Sequence, residues 1–136
     1  GWSMSRPGFL LRALGGGGAA RAIAVDMREA AERTRKAHGL SGPATQIAAE
    51  GAVAAALLSA HIKGDERIML QLEGAWPRFG FGGEIGADGQ YRGRLSPATI
   101  PLGGDGRFDG LMLAIKSNGR EELYRGHTEI KAANLE

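Results

Sequence analysis

Residues 51–58 read Gly-Ala-Val-Ala-Ala-Ala-Leu-Leu, a block without a single polar side chain. It lies inside a longer stretch, residues 47–62, that is apolar nearly all round at helical spacing. A helix with no wet face must be buried on several sides. A membrane span is a poor reading, because the stretch is Ala-rich and Gln46, Glu50, Ser59 and His61 interrupt it. The chain therefore has to supply other elements that enclose a central helix opened by Ser41-Gly42-Pro43, with Pro43 suited to the first turn. Leu57 and Leu58 are expected in the core.

The enclosing elements follow at once, because beyond Gly64 the period changes from helical to two. Ile68, Leu70 and Leu72 alternate with Arg67, Met69, Gln71 and Glu73, as in a half-buried strand. Phe79, Phe81, Gly83 and Ile85 share one face of a second strand, and Asp88-Gly89 is a hairpin turn leading to a third at residues 90–95. Residues 96–106 carry two prolines and three glycines and read as loop. A further hairpin runs through residues 111–116, a turn at Asn118-Gly119, and residues 123–130. Upstream, residues 15–18 are four glycines and read as a flexible joint. Residues 20–25 read as a short strand, and Asp26 as the N-cap of a helix with Glu29 as its capping-box partner. That helix buries Met27, Ala30, Ala31, Thr34 and Ala37, carries the ion pairs Glu29–Arg33 and Glu32–Lys36, and ends at Gly39 after His38. Helices first and about five hairpin-linked strands afterwards make the fold class α+β, an antiparallel-rich sheet packed on a buried apolar helix with a second amphipathic helix. The alternation of a doubly wound nucleotide-binding sheet is absent.

Bulk properties narrow the function. The 136 residues suffice for one core, and 43% hydrophobic with 24% charged residues is an ordinary globular balance. The net charge of +2 comes from interleaved acids and bases with no clustered basic face, so no nucleic-acid partner is expected. There is no cysteine, hence no disulfide and no thiolate zinc site in these residues. The apolar run at residues 9–14 is short and contains Arg12, which is unlike a signal peptide, so a cytoplasmic location and no membrane partner are expected. Residues 1–3 and 135–136 read as vector-derived, leaving residues 4–134 as one domain.

Catalytic signals are thin. His38, His61 and His127 stand at no metal-ligand spacing, and the serines lie in no nucleophile elbow. The glycines at residues 79–86 do not follow a dinucleotide fingerprint; glycine alternating with aromatics marks close sheet packing. Glu50 is the lone charge in the apolar helix. It could be a general acid or base, but a carboxylate pinning a neighbouring backbone group or arginine is the preferred reading. A small enzyme or ligand-binding domain with its site near Glu50 and His61 is the rival class; otherwise no catalytic residue and no cofactor is expected.

One ordered series adds to this. Glu50 is followed by the Ala/Leu-rich helix ending Ser59-Ala60-His61-Ile62-Lys63-Gly64, then Ile68-Met69-Leu70-Gln71-Leu72-Glu73-Gly74 and Pro77. Tyr91-Arg92-Gly93, residues 110–116 and Tyr124-Arg125-Gly126 come in order after it, and His38-Gly39-Leu40-Ser41 before it. The series resembles the N-terminal core of the thirty-three-kilodalton heat shock protein family of redox-regulated holdase chaperones, over roughly residues 9–130. Gly74-Ala75-Trp76-Pro77 departs from the Gly-Asp-Gly-Pro usual there. The resemblance implies a stress-response chaperone core that holds unfolding protein clients without ATP, with a homodimer as one possible assembly. It also implies that the chain stops before a linker and a four-cysteine zinc domain whose oxidation would uncover the client surface, so that the family's zinc has no ligands here. Trp76, Phe79, Phe81 and Tyr91 around the first hairpin are the candidate client-binding residues. The shared face of Phe79 and Phe81 points them to the core, and Trp76, between two strands, is the better candidate.

Overall fold

A computed structural model describes residues 17–76, 78–100 and 108–132. Helix α1, Gly17–His38, is followed by α2, Pro43–Leu58, which a 3-10 turn at Ser59–His61 extends. Five strands follow: β1 Arg67–Trp76, β2 Arg78–Gly86, β3 Tyr91–Ser96, β4 Phe108–Ser117 and β5 Glu122–Ala132. All pair antiparallel in the order β3-β2-β1-β4-β5. The fold is α+β, with an antiparallel sheet on a buried helix.

The start of α1 differs from expectation. Residues 20–25 are helical rather than a strand, Asp26 lies inside the helix rather than at its cap, and Gly17 and Gly18 belong to the first turn. Ala19, Ala20, Ala22, Ala24 and Arg21 are strong helix formers, and their summed propensity outweighs the brief Ile23/Val25 alternation. Gly15 and Gly16 lie outside the described residues. Met27, Ala30, Ala31 and Thr34 are buried at i, i+3, i+4, i+7, whereas Ala37 is exposed. Glu29 pairs with Arg33 at 3.8 Å, but Glu32 takes Arg35, not Lys36, at 2.6 Å. Gly39 at φ +63° ends α1, with Leu40 N–H donating to Arg35 O and Gly39 N–H to Lys36 O, the Schellman pattern.

Helix α2 has Pro43 in its first turn and is buried continuously from Ile47 to Ala55. The core is Ile47 and Val53 of α2 against Leu70, Leu72, Phe79, Phe81 and Leu95 of the sheet. Leu57 and Leu58 are only half-buried, at the margin of the core clusters. Ile100, 1% exposed, closes the far side of the core. Its segment is tied to the α1–α2 connection by Ser41 N–H donating to Ala98 O and a Ser41–Thr99 hydroxyl contact at 3.0 Å. The remainder of the expected 96–106 loop, residues 101–106, lies outside the described residues.

Both hairpin turns form as their residues require. Gly89 and Gly119 each adopt φ +86°, a conformation open to glycine at no steric cost. Asp88 Oδ1 accepts from Gln90 N–H, and Asn118 Oδ1 from Arg120 and Glu121 N–H, all at 3.0 Å.

Candidate functional site: the open face of the sheet

Alternation along paired strands sorts the sheet into two faces. The helix side carries Ile68, Leu70 and Leu72 of β1, opposite Ile85, Gly83 and Phe81 of β2, which in turn face Tyr91, Gly93 and Leu95 of β3. Helix α2 packs on β1, β2 and β3, and α1 on β3. The opposite face has no helix on it among the described residues.

The sequence-predicted client-binding residues divide accordingly. Phe79 and Phe81 are 4% and 3% exposed, on the core face. Tyr91 is on the same inner face, half-buried, with its ring against Gly83 and Gly93 below Thr34 of α1. Its hydroxyl is buried without a hydrogen-bond partner among the described residues. Burial pushes the phenol well above its ordinary pKa, because the phenolate would lose its hydration. In the folded chain Phe79 and Phe81 thus present little surface, and Tyr91 only part of its ring. Trp76 is the last residue of β1, its backbone opposite Asp109 just after a bulge, and its side chain lies outside the described residues.

The Glu50 and His61 pairing also separates. Glu50 is fully buried, and Gln46, one turn back, donates Nε2–H to its Oε2 at 2.9 Å. Gln46 is thus one partner that pins the buried carboxylate. His61 stands about 16 Å further along the helix axis, exposed at the end of the 3-10 turn. Its carbonyl accepts from Lys116 Nζ, which also pairs with Glu66 at 3.5 Å. These contacts tie β4 to the turn before β1. His38 ends α1 and is exposed; the side chain of His127 lies outside the described residues. No group of metal-ligating side chains occurs among the described residues.

What the open face displays is a graded surface. The register sets β4's Leu111, Leu113 and Ile115 beside β1's Glu73, Gln71 and Met69. Next come β2's Gly80, Gly82 and Glu84, and at the edge β3's Ser96, Arg94 and Arg92. Leu111 is 42% exposed and Leu123 of β5 43%, the exposed large hydrophobics of the described chain. Gln71 Nε2–H donates to Met69 Sδ at 3.4 Å, and Arg67 pairs with Glu84. Sequence reasoning missed this face. Its signal was β4 itself, where Leu111, Leu113 and Ile115 are apolar on one parity and Met112 and Ala114 on the other. Such a strand asks to be covered on both sides.

The sequence model of the Hsp33 protein family matches residues 9–136. The chain belongs to the Hsp33 family. Among curated relatives named 33 kDa chaperonin, one from Thermus thermophilus is 36% identical over 106 residues, covering 75% of this chain and 31% of the relative. The Synechococcus relative is 36% identical over 99 residues, covering 72% and 31%. The Bacillus subtilis relative is 25% identical over 137 aligned positions, covering 93% and 47%. The Hsp33-family chain thus spans less than half the length of these relatives. The matched region takes in both helices and the whole sheet, so the open face belongs to the part that is shared. No helix among the described residues is long and apolar enough to cross a membrane.

Proposed function

We propose that this chain is the client-holding core of an ATP-independent chaperone and that unfolding proteins dock on the open face of its sheet. The observation that carries the reading is one-sided coverage in a chain of the Hsp33 family. Helices occupy the inner face, while Leu111 stands 42% exposed on the other, in one row with half-buried Leu113 and Ile115. Exposed apolar side chains grouped on one face mark an interaction surface. They suit clients that share only the exposure of apolar residues. Trp76, at the β1–β2 turn, borders that surface by its place in the chain and stays within the proposal. The reading includes a cytoplasmic, stress-related role. Any zinc-dependent redox control would have to come from residues beyond these, since thiolate ligands need cysteine and the chain has none. The rival reading, a catalytic or ligand site at Glu50 and His61, loses support from their separation.

The test is light scattering by a thermally unfolding enzyme, with and without the chain and with no nucleotide present. Suppression near equimolar ratio, unchanged by ATP, is expected. Undiminished scattering at a large molar excess would overturn the reading.

A further inference from the structure

On the open face, Gly80 and Gly82 leave β2 without side chains between the β1 row Gln71–Glu73 and the β3 row Arg92–Arg94. The result is a trough in two overlapping parts of about 450 and 340 Å³, both lined by His38, Gln71 and Arg94. Its walls are two strand spacings apart, about 10 Å. One extended backbone fits between them, whereas a helix of about 10–12 Å diameter does not. The charge is uneven. Arg92 and Arg94 are exposed and have no ion-pair partner among the described residues, and exposed His38 stands beside them. Of the two acids nearby, Glu84 is held by Arg67, and Glu73 lies on the opposite wall. Arg94 lies across Gly82, where a Cβ would meet its Nε at 3.1 Å.

We propose that this trough binds an extended acidic peptide segment, with its backbone over Gly80 and along the Arg94 side chain that covers Gly82, and its carboxylates toward Arg92, Arg94 and His38. The identification of the peptide as part of a client rests on the chaperone reading above; the binding chemistry does not. A single strand of nucleic acid fits less well, because Glu73 and Glu84 would face its regularly spaced phosphates. The surface would thus recognise two features together: acidic groups at the β3 edge and apolar groups along β4, about three strands away.

The test is fluorescence anisotropy of the full chain with a fluorescein-labelled peptide of three Glu-Val repeats, its Lys-Val counterpart, and a labelled hexathymidylate. The acidic peptide should bind, the basic one should not, and the oligonucleotide should bind more weakly than the acidic peptide. Arg92→Glu with Arg94→Glu should weaken the acidic peptide by at least about tenfold, the sum of two exposed charge contacts and their reversal. Gly80→Val should block it with an unchanged melting temperature, since nothing lies within 4 Å of a Cβ at that position. Equal binding of both peptides, wild-type affinity in the double reversal or in Gly80→Val, or tighter binding of the oligonucleotide would each overturn the proposal. Aggregation suppression is read in parallel. A chain that holds clients while the variants bind the peptide normally sinks the trough and leaves the chaperone reading standing. A chain that holds no client yet binds the acidic peptide through the arginines does the reverse.

Discussion

The buried ring of Phe81 on β2 fills the space that a side chain at Gly51, in the middle of α2, would need. The absence of a Cβ there lets the helix approach the sheet closely, and the ring has no exposed side to retreat to. Gly51→Ala gains up to about 1 kcal/mol of helix propensity, yet overpacking a closed core typically costs about 1–3 kcal/mol. The clash should win, so Gly51→Ala should lower the free energy of unfolding in urea. Combining it with Phe81→Leu should recover part of the loss. A stabilised Gly51→Ala would mean that α2 and β2 are further apart than described.

The core itself lies closer to the start of α2 than the apolar block suggests. Ile47→Ala and Leu72→Ala remove fully buried side chains and should each cost about 2–5 kcal/mol. Leu57→Ala and Leu58→Ala act at half-buried sites and should cost less, about 1–2 kcal/mol. Chemical denaturation of the four variants gives the order directly; a larger loss at Leu57 or Leu58 than at Ile47 contradicts it.

How much of this was legible follows from where the information resides. Strand faces could be read because period two is a local property: Ile68, Leu70, Leu72, Phe79 and Phe81 point inward as their alternation requires. Turns at Asp88-Gly89 and Asn118-Gly119 were legible because positive φ selects glycine. The beginning of α1 was not, since Ile23 and Val25 alternate over too short a stretch to compete with a continuous helix. The open face was hidden for another reason. Which face of the sheet the helices take is a fact of tertiary placement, and β4 is apolar on both parities. The outward role of Leu111 therefore appears only once the helices are in place.

That role leads to a separation of stability from holding. Leu111→Ser with Leu123→Ser alters exposed side chains, so the unfolding free energy should move by less than about 1 kcal/mol. Suppression of client aggregation should fall, because the apolar surface is what the client contacts. Denaturant midpoints and light scattering on the same preparations check both halves. Full holding by the double variant would remove this face from the mechanism.

Tyr91 supplies the last expectation. Its hydroxyl is buried without a partner among the described residues, so folding strips its water and gives no hydrogen bond in return. Tyr91→Phe removes that group while keeping the ring over Gly83 and Gly93, and should be neutral or stabilising. The same burial raises the phenol's pKa in the folded chain, while the unfolded chain ionises near the ordinary value of about 10. The folded state therefore holds the proton after the unfolded state has lost it. The stabilisation is complete below about pH 10 and declines above it, by up to about 1.4 kcal/mol per pH unit until the folded phenol ionises too. Urea unfolding between pH 8 and roughly 11 should show that decline in the wild type, and Tyr91→Phe should flatten it. Absorbance of tyrosinate should show one phenol titrating late in the wild type and none late in the variant. An identical alkaline decline in both proteins would assign it to other groups and leave the Tyr91 hydroxyl hydrated.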